Sequence, residues 1–494
     1  MYNDLWSALL IIIQPFNFIG LLGGFFLGVV FGAIPGLSSI TAVILVLPFT
    51  YGMGPYLTFL ILVSAYCGAM YAGSIPAVLF KTPGTSSALM TVLDGYPLAQ
   101  QGRGGEALGI SAVSSSIGGI LSGIVLILLT PVLSQFALSF GPGEFFAAAL
   151  FGMSAVTSLG RGKQAKAFIS LFFGIIVASV GADAFRGMPR FTFGQTELLT
   201  GFQLVPVLAG IFAMSEVFNQ VEKAKGAQAF VQNVPSALPN LRDIVRMRWT
   251  YLRASLIGII VGIIPGAGAT IASTIAYNEE QRWSKQPEKF GTGMIEGVAA
   301  AESSNNAAAG GALIPTMALG IPGSPTAAAL IGAFWIQGLN PGPTLYVTQP
   351  ALIATIFLAV MLTSILILVI GVFGVKPLTK LLEVRYKYIA PVIVLFSIWG
   401  TYSVRNNPWD IWVTIIFGIV GYLMLKLDFS LVPFTLRFIL GPFTEQNLLY
   451  SMKLYDNTFI SLLTRPVSLC LIVLSVFALI YPFIHIEKPM KATT

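Results

Sequence analysis

The chain has 494 residues, 55% of them hydrophobic and only 10% charged, with a formal net charge of +7. A soluble domain carries about 25% charged residues, and apolar runs long enough to cross a ~30 Å hydrocarbon core recur here from end to end. These figures exclude a soluble enzyme, a disordered low-complexity chain, a secreted disulfide scaffold and a nucleic-acid binder, and they leave an all-α polytopic membrane protein of roughly ten to twelve spans.

From the N-terminus, Met1-Tyr2-Asn3-Asp4 lacks the basic region of a signal peptide, so no cleavage is expected. Leu5–Ile13 is too short to span, and residues 1–16 read as an interfacial segment. Spans are predicted at 107–139, 144–159, 168–182 and 202–220, then at 351–375, 388–402, 411–427, 429–445 and 466–484. Basic residues set their direction, because cytoplasmic loops are enriched in Lys and Arg. The polar stretch 222–250, with Lys223, Lys225, Arg242, Arg246 and Arg248, reads as a cytoplasmic linker. The loops holding Arg103, Arg161 to Lys166, Arg282 to Lys289 and Lys376 to Lys387 share its side, as does the tail with Lys488 and Lys491. Loops 50–55, 140–143, 338–350 and 403–409 have few or no basic residues and go outside; Arg186 and Arg190 depart from the rule. Cys67 and Cys470 lie in apolar runs and read as small buried hydrophobes. His485 stands alone, so no His/Cys metal cluster can be assembled.

The two halves resemble each other. Gly28-Val-Val-Phe-Gly-Ala-Ile-Pro-Gly36 matches Gly258-Ile-Ile-Val-Gly-Ile-Ile-Pro-Gly266. Ile75-Pro76 followed by Pro83-Gly84-Thr85 matches Ile314-Pro315 followed by Pro322-Gly323-Ser324 at the same spacing, and Leu204-Val-Pro206 echoes Leu431-Val-Pro433. Residues 17–221 and 251–445 therefore read as repeats, with 446–494 supplying a loop, a final span and the tail. Loop 160–166 is basic, while its partner 403–409 carries only Arg405; loop 140–143 is uncharged, while its partner 376–387 is rich in Lys and Arg. Opposite charge bias in equivalent loops means inverted-topology repeats, the architecture of many secondary transporters.

Such proteins bind substrate near the midplane, where Gly and Pro interrupt helices. Pro removes an amide donor and clashes with the preceding turn, and Gly permits conformations other residues avoid. The paired breaks are Pro35-Gly36, Pro83-Gly84, Pro265-Gly266 and Pro322-Gly323. Behind them come Ser38, Ser39 and Thr41, then Thr85, Ser86 and Ser87, then Gly268 and Thr270, then Ser324 and Thr326. A half-helix N-terminus presents unpaired N–H groups and a partial positive charge. Hydroxyls there either cap the helix or bind a carboxylate. Four such ends facing one cavity suit an anionic substrate, and freed carbonyls near Gly36 and Gly266 suit Na⁺. Gly28, Gly32, Gly258 and Gly262 fall in GxxxG spacing and read as packing residues.

One more polar cluster, Glu302-Ser303-Ser304-Asn305-Asn306, interrupts an Ala/Gly-rich run over 297–319. Such groups at depth are expensive unless partnered, which makes them candidates for function. Asn305 and Asn306 offer NH₂ groups to a carboxylate or carbonyl oxygens to Na⁺, and Ser303 adds a hydroxyl beside them. Glu302 is open to three readings: cation ligand, proton-coupling group or helix cap. Lys81, just before Pro83, either neutralises a substrate carboxylate or snorkels to the interface. Asp94-Gly95-Tyr96-Pro97 reads as a turn at the cytoplasmic edge. No G-x-x-x-x-G-K-[ST], G-x-S-x-G or H-E-x-x-H motif is present, which argues against ATP hydrolysis and against a hydrolase.

The motifs Gly32-Ala-Ile-Pro-Gly-Leu37, Pro83-Gly84-Thr85, Asp94-Gly95-Tyr96-Pro97, Ile264-Pro-Gly-Ala-Gly268, Glu302-Ser-Ser-Asn-Asn306 and Gly320-Ile-Pro-Gly-Ser324 occur in this order. In this the chain resembles, over nearly its whole length, the large membrane subunit of the tripartite tricarboxylate transporters, the TctA type. The resemblance implies a bacterial inner-membrane symporter, not an enzyme, taking up citrate or other carboxylates with Na⁺ or H⁺ as the coupling ion and no other cofactor. It implies two partners, a small four-helix membrane subunit and a periplasmic substrate-binding protein. It also points to the Pro-Gly loops and the Glu302–Asn306 cluster as the site. Alternating access is expected, in an elevator-like or rocking motion of 17–93 and 251–337. A passive organic-anion channel is the alternative reading, and a membrane-embedded enzyme the third.

Overall fold

The computed structural model describes residues 2–158, 163–183, 187–223, 239–374, 384, 386–454 and 460–484. Arg161, Arg186, Lys225, Lys376, Lys380, Arg385, His485, Lys488 and Lys491 lie outside the described residues.

A short helix, α1 (Tyr2–Ile13), precedes α2 (Pro15–Ala33), whose first-turn Pro15 needs no amide partner. α2 stops at Ile34 because a residue before proline is pushed out of the helical region. Ser38 caps α3 (Ser39–Val46), accepting from the Thr41 amide at 3.4 Å. α4 (Pro55–Ala72) runs almost directly into α5 (Ser74–Phe80), which ends on Lys81 in a left-handed conformation, φ 59°. A 3-10 turn, Ser86–Ala88, leads into α6 (Leu89–Leu98), and the positive φ of Gly102 kinks the chain into α7 (Gly104–Ala137). α7 has 34 residues, about 50 Å of helix and more than the hydrocarbon core requires. Its first half is buried, while Leu128, Val132 and Phe136 in the second half face outward. Then come α8 (Pro142–Ser158), α9 (Gln164–Ala178) and a small ribbon pairing Gly181–Ala182 with Pro189–Arg190. α10 (Leu204–Leu208) continues through a π-turn, Ala209–Met214, into α11 (Ser215–Lys223).

Beyond the linker, α12 (Leu241–Arg246) precedes α13 (Arg248–Ile263), which stops before Pro265 as α2 stops before Pro35. α14 (Gly268–Trp283), α15 (Ile295–Leu319), α16 (Pro325–Ile336) and α17 (Pro343–Thr348) follow. α15 ends on Gly320, φ 71°, in the same left-handed conformation as Lys81 after α5. The remaining helices are α18 (Pro350–Phe373), α19 (Tyr386–Arg405), α20 (Pro408–Lys426), α21 (Leu431–Leu454), α22 (Ile460–Thr464) and α23 (Pro466–Ile484). α21 continues past residue 445, and its Glu445 carboxylate is engaged by Arg190 at 2.6 Å.

The chain is an all-α polytopic membrane protein. Among the described residues, seven helices or helical runs are long and apolar enough to cross a membrane. The larger number expected from sequence counted 168–182, where the apolar helix Gln164–Ala178 has only 15 residues. It also counted 429–445, whose helix α21 carries Arg437 within its apolar part.

The interior is built on close helix approach. Gly28 and Gly32 of α2 face the main chain of Ala65 and Ala69 in α4, and a side chain at either would overlap it. Gly258 and Gly262 of α13 face Ser304 and Ala308 of α15 in the same way. All four are packing glycines, as their spacing predicts. α15 also lies along α7 and is buried almost throughout. Cys67 is buried as expected, whereas Cys470 is exposed on the outer face of α23.

Asp94-Gly95-Tyr96-Pro97 is not a turn but the second half of α6. Asp94 is fully buried. Its Oδ1 accepts from the amides of Gly291, Gly293 and Met294 at 2.8, 2.9 and 2.8 Å, and its Oδ2 from the Tyr277 hydroxyl at 2.7 Å. The Asp-Gly pair stays helical because its carboxylate serves a distant loop instead of its own backbone.

Candidate functional site

The four breaks form a closed circuit, buried where the first meets the fourth and open to the surface at Ser86. Ser39 Oγ lies 3.0 Å from Thr326 Oγ1, and the Tyr66 hydroxyl 3.3 Å from Ser324 Oγ, which joins the first break to the fourth. The Gly266 amide donates to the Gly323 carbonyl at 3.0 Å, joining the third to the fourth. Thr270 Oγ1 donates to Ser86 Oγ at 3.1 Å and Ser273 Oγ to the Ser87 carbonyl at 3.0 Å, joining the third to the second. Gly84 rests on the Gly32 carbonyl in the last turn of α2, joining the second to the first; Gly323 rests likewise on the Gly262 carbonyl.

The hydroxyls are partly committed. Ser38 caps α3, and Ser324 caps α16 by accepting from the Ala327 amide at 3.1 Å. Thr85 Oγ1 lies 3.0 Å from Ser87 Oγ. Pro83 and Pro35 are half-buried, while Pro265 and Pro322 are buried. Gly268, the first residue of α14, has φ 66° and open space where a side chain would be. The N-termini of α3, α14 and α16 thus bring their partial positive charge to one region.

The Glu302–Asn306 cluster sits in mid-helix on α15, so Glu302 caps no helix end. Its Oε1 accepts from the Thr91 hydroxyl, and its Oε2 from the Ser115 hydroxyl at 3.1 Å. The carboxylate therefore bridges α6 and α7. Asn305 Nδ2 donates to the Met70 carbonyl at 3.2 Å, one turn beyond Tyr66 on α4. Asn305 Oδ1 and Ser303 Oγ are buried and have no hydrogen-bond partner among the described residues. Asn306 Nδ2 turns back to the Glu302 carbonyl at 3.4 Å and reaches no other helix.

Lys81 is exposed, with Nζ 5.9 Å from the centre of the Tyr96 ring. Two further residues reach the first break. A side chain at Gly36 would strike Gln220 Nε2 and Glu216 Oε1, and Gln220 itself donates to Glu216 at 2.7 Å. Glu216, Asn219 and Gln220 fall on one helical face at i, i+3 and i+4. That spacing is visible in the sequence but is masked when 202–220 is read as a plain span. An apolar groove of about 870 Å³, lined by Val217, Pro391, Trp399 and their neighbours, opens between α11, α19 and α20 and shares no residue with the breaks.

Interrupted helices meeting through hydroxyl bonds inside a multi-pass bundle are the construction found at the centre of secondary transporters. The sequence matches the tripartite tricarboxylate transporter TctA family over residues 18–436. The chain belongs to that family, and is thereby a membrane subunit of a tricarboxylate transporter. It is 35% identical over 460 residues to a protein of Agrobacterium vitis described as an uncharacterized 52.8 kDa protein in the TAR-I ttuC' 3' region, covering 93% of this chain and 92% of the relative. A second Agrobacterium vitis protein, from the TAR-II ttuC' 3' region, is 37% identical over 223 residues, 45% of this chain and 92% of the relative. No solved structure matches the chain.

Proposed function

We propose that this chain is the large subunit of a secondary active transporter that takes up a citrate-like tricarboxylate or related organic carboxylate across the bacterial inner membrane. Uptake is driven by a Na⁺ or H⁺ gradient. A small four-helix membrane subunit and a periplasmic substrate-binding protein complete the system, in keeping with the tripartite family. The observation that carries the reading is the circuit of four breaks, each contributed by a helix interruption and each touching the next. Positive helix ends and Lys81 at the rim favour a carboxylate. The unpartnered Asn305 Oδ1 and the carbonyls near Gly36 and Gly266 favour Na⁺. Glu302, held by two hydroxyls, suits H⁺ if protons drive uptake.

Replacing Asn305 with Ala should abolish citrate uptake in cells while the protein still inserts in the membrane. Normal uptake by N305A would sink the assignment. Uptake that survives ionophore collapse of both gradients would identify a passive channel instead.

The repeats 17–221 and 251–445 are taken to be inverted; one observation supports the repeat and another its inversion. The contacts of Gly84 on Gly32 recur as Gly323 on Gly262. Lys163 pairs with Asp428 at 3.1 Å, and Lys166 Nζ donates to the Leu427 carbonyl at 2.7 Å. The loop before α9 thus shares a side with the loop after α20, whereas 403–409 precedes α20 at its other end. Single cysteines at Lys163 and Ser403 should react with an impermeant thiol reagent from opposite sides. Labelling from one side would refute the inversion. An elevator-like motion fits this arrangement, because the four breaks are tied together and would travel as one body.

A further inference from the structure

One arginine stands within the apolar part of α21, in Phe434-Thr-Leu-Arg437-Phe-Ile-Leu-Gly441. Its stem lies against Gly174 of α9, and its Nη1 donates to the Met153 sulfur of α8 at 2.9 Å. Nε is buried and has no hydrogen-bond partner among the described residues. A guanidinium has five N–H donors, and a thioether is a weak acceptor. Arg190, Arg253, Arg405 and Arg465 each hold a carboxylate. Arg437 holds none among the described residues; the acid two turns further along its own helix, Glu445, is gripped by Arg190 at 2.6 and 3.2 Å.

The place matters as much as the missing partner. Gly152, the neighbour of Met153, lies against Pro265 and Ile321, which border the third and fourth breaks. At the matching position of the first half, counted from Leu204-Val-Pro206 against Leu431-Val-Pro433, stands Gly210, packed on the Thr414 carbonyl. The repeated architecture therefore does not call for a cation here. An ionised side chain within an apolar helical stretch is costly and marks a ligand path by default.

We infer that Arg437 binds a carboxylate of the transported anion through its planar guanidinium. A substrate bearing several carboxylates needs more than one positive group, and the fork of an arginine matches a carboxylate bidentately. The inference rests on the carboxylate-transport reading above.

The test uses the purified full-length protein in lipid nanodiscs, with citrate, malate and succinate as probes and their binding measured by calorimetry. Wild type should bind at least one probe. R437Q should bind it about a hundredfold more weakly, and R437K about tenfold more weakly, because the charge remains but the fork is lost. Wild-type affinity in R437Q overturns the role of Arg437 and leaves the transport reading standing. Failure of the wild type to bind any of the three overturns both. If R437Q does not fold, R437K decides alone: unchanged affinity there means that the arginine only packs.

Discussion

Replacing Lys81 with Gly should leave the protein folded, with an unfolding temperature equal to or above that of the wild type, and yet cut carboxylate uptake ten- to a hundredfold. The two halves of that result have separate causes. Lys81 is held at φ 59°, whereas the matching end of α15 has Gly320 at φ 71°. A side chain in the left-handed region costs about 1–2 kcal/mol, which Gly relieves. The extra freedom Gly gives the unfolded chain takes back about 0.5–1 kcal/mol. Net stability is therefore unchanged or slightly raised. A charged hydrogen bond to a carboxylate is worth about 1.5–3 kcal/mol, hence the size of the transport loss. K81R should restore most uptake, since it restores the charge. Wild-type uptake by K81G would show that the lysine merely snorkels. A strained residue where glycine would serve is itself a pointer to function.

Asp94→Ala should be among the most damaging single changes to stability. Three amides and one phenol converge on this carboxylate. Removing it strands buried donors, at a cost of about 3–5 kcal/mol, against the about 5–15 kcal/mol that a domain commonly has in hand. The loss is also positional, because the loop at Gly291–Met294 starts α15, and Glu302 lies two turns further on. D94A should melt well below wild type in detergent, with uptake lost in parallel. D94N keeps an acceptor for the amides and should fall between. Tyr277→Phe removes one bond and should cost about 1 kcal/mol. A wild-type melting temperature for D94A would show that the strap is unimportant.

Much of the architecture was legible because the strongest local signals here are steric. Pro35, Pro83, Pro265 and Pro322 each stand beside a glycine just past a helix end, and all four breaks fall as the sequence predicts. The glycine rows were equally plain, since a four-residue spacing puts them on one face whatever they meet. Asp94 was misread because its partners lie about 200 residues away, at Gly291 to Met294, and Asp-Gly is locally a turn signal. Glu302 gave away its importance but not its contacts, because Thr91 and Ser115 look unremarkable in their own segments. Arg437 drew no notice, although it falls at the middle of the span predicted over 429–445. Only the absence of a carboxylate paired with it among the described residues sets it apart, and that is a property of space, not of sequence.

The circuit of breaks also bears on how the protein is made. Ser39 and its partner Thr326 are 287 residues apart, and Thr91 and Glu302 are 211 apart. At a synthesis rate of about 5–20 residues per second, Ser39 waits roughly 15–60 seconds for its partner to leave the ribosome. Hydroxyls cannot stay bare in lipid for that time without cost. The first half carries its own interim arrangement: Ser38 bonds within α3, and Thr85 bonds Ser87. The early half can thus shelter its polar groups locally while the later half is being inserted. Nascent chains halted before residue 295 should therefore remain intact in the membrane yet lack a finished interior, which makes the interval before α15 and α16 are inserted the period of greatest exposure to quality-control proteases.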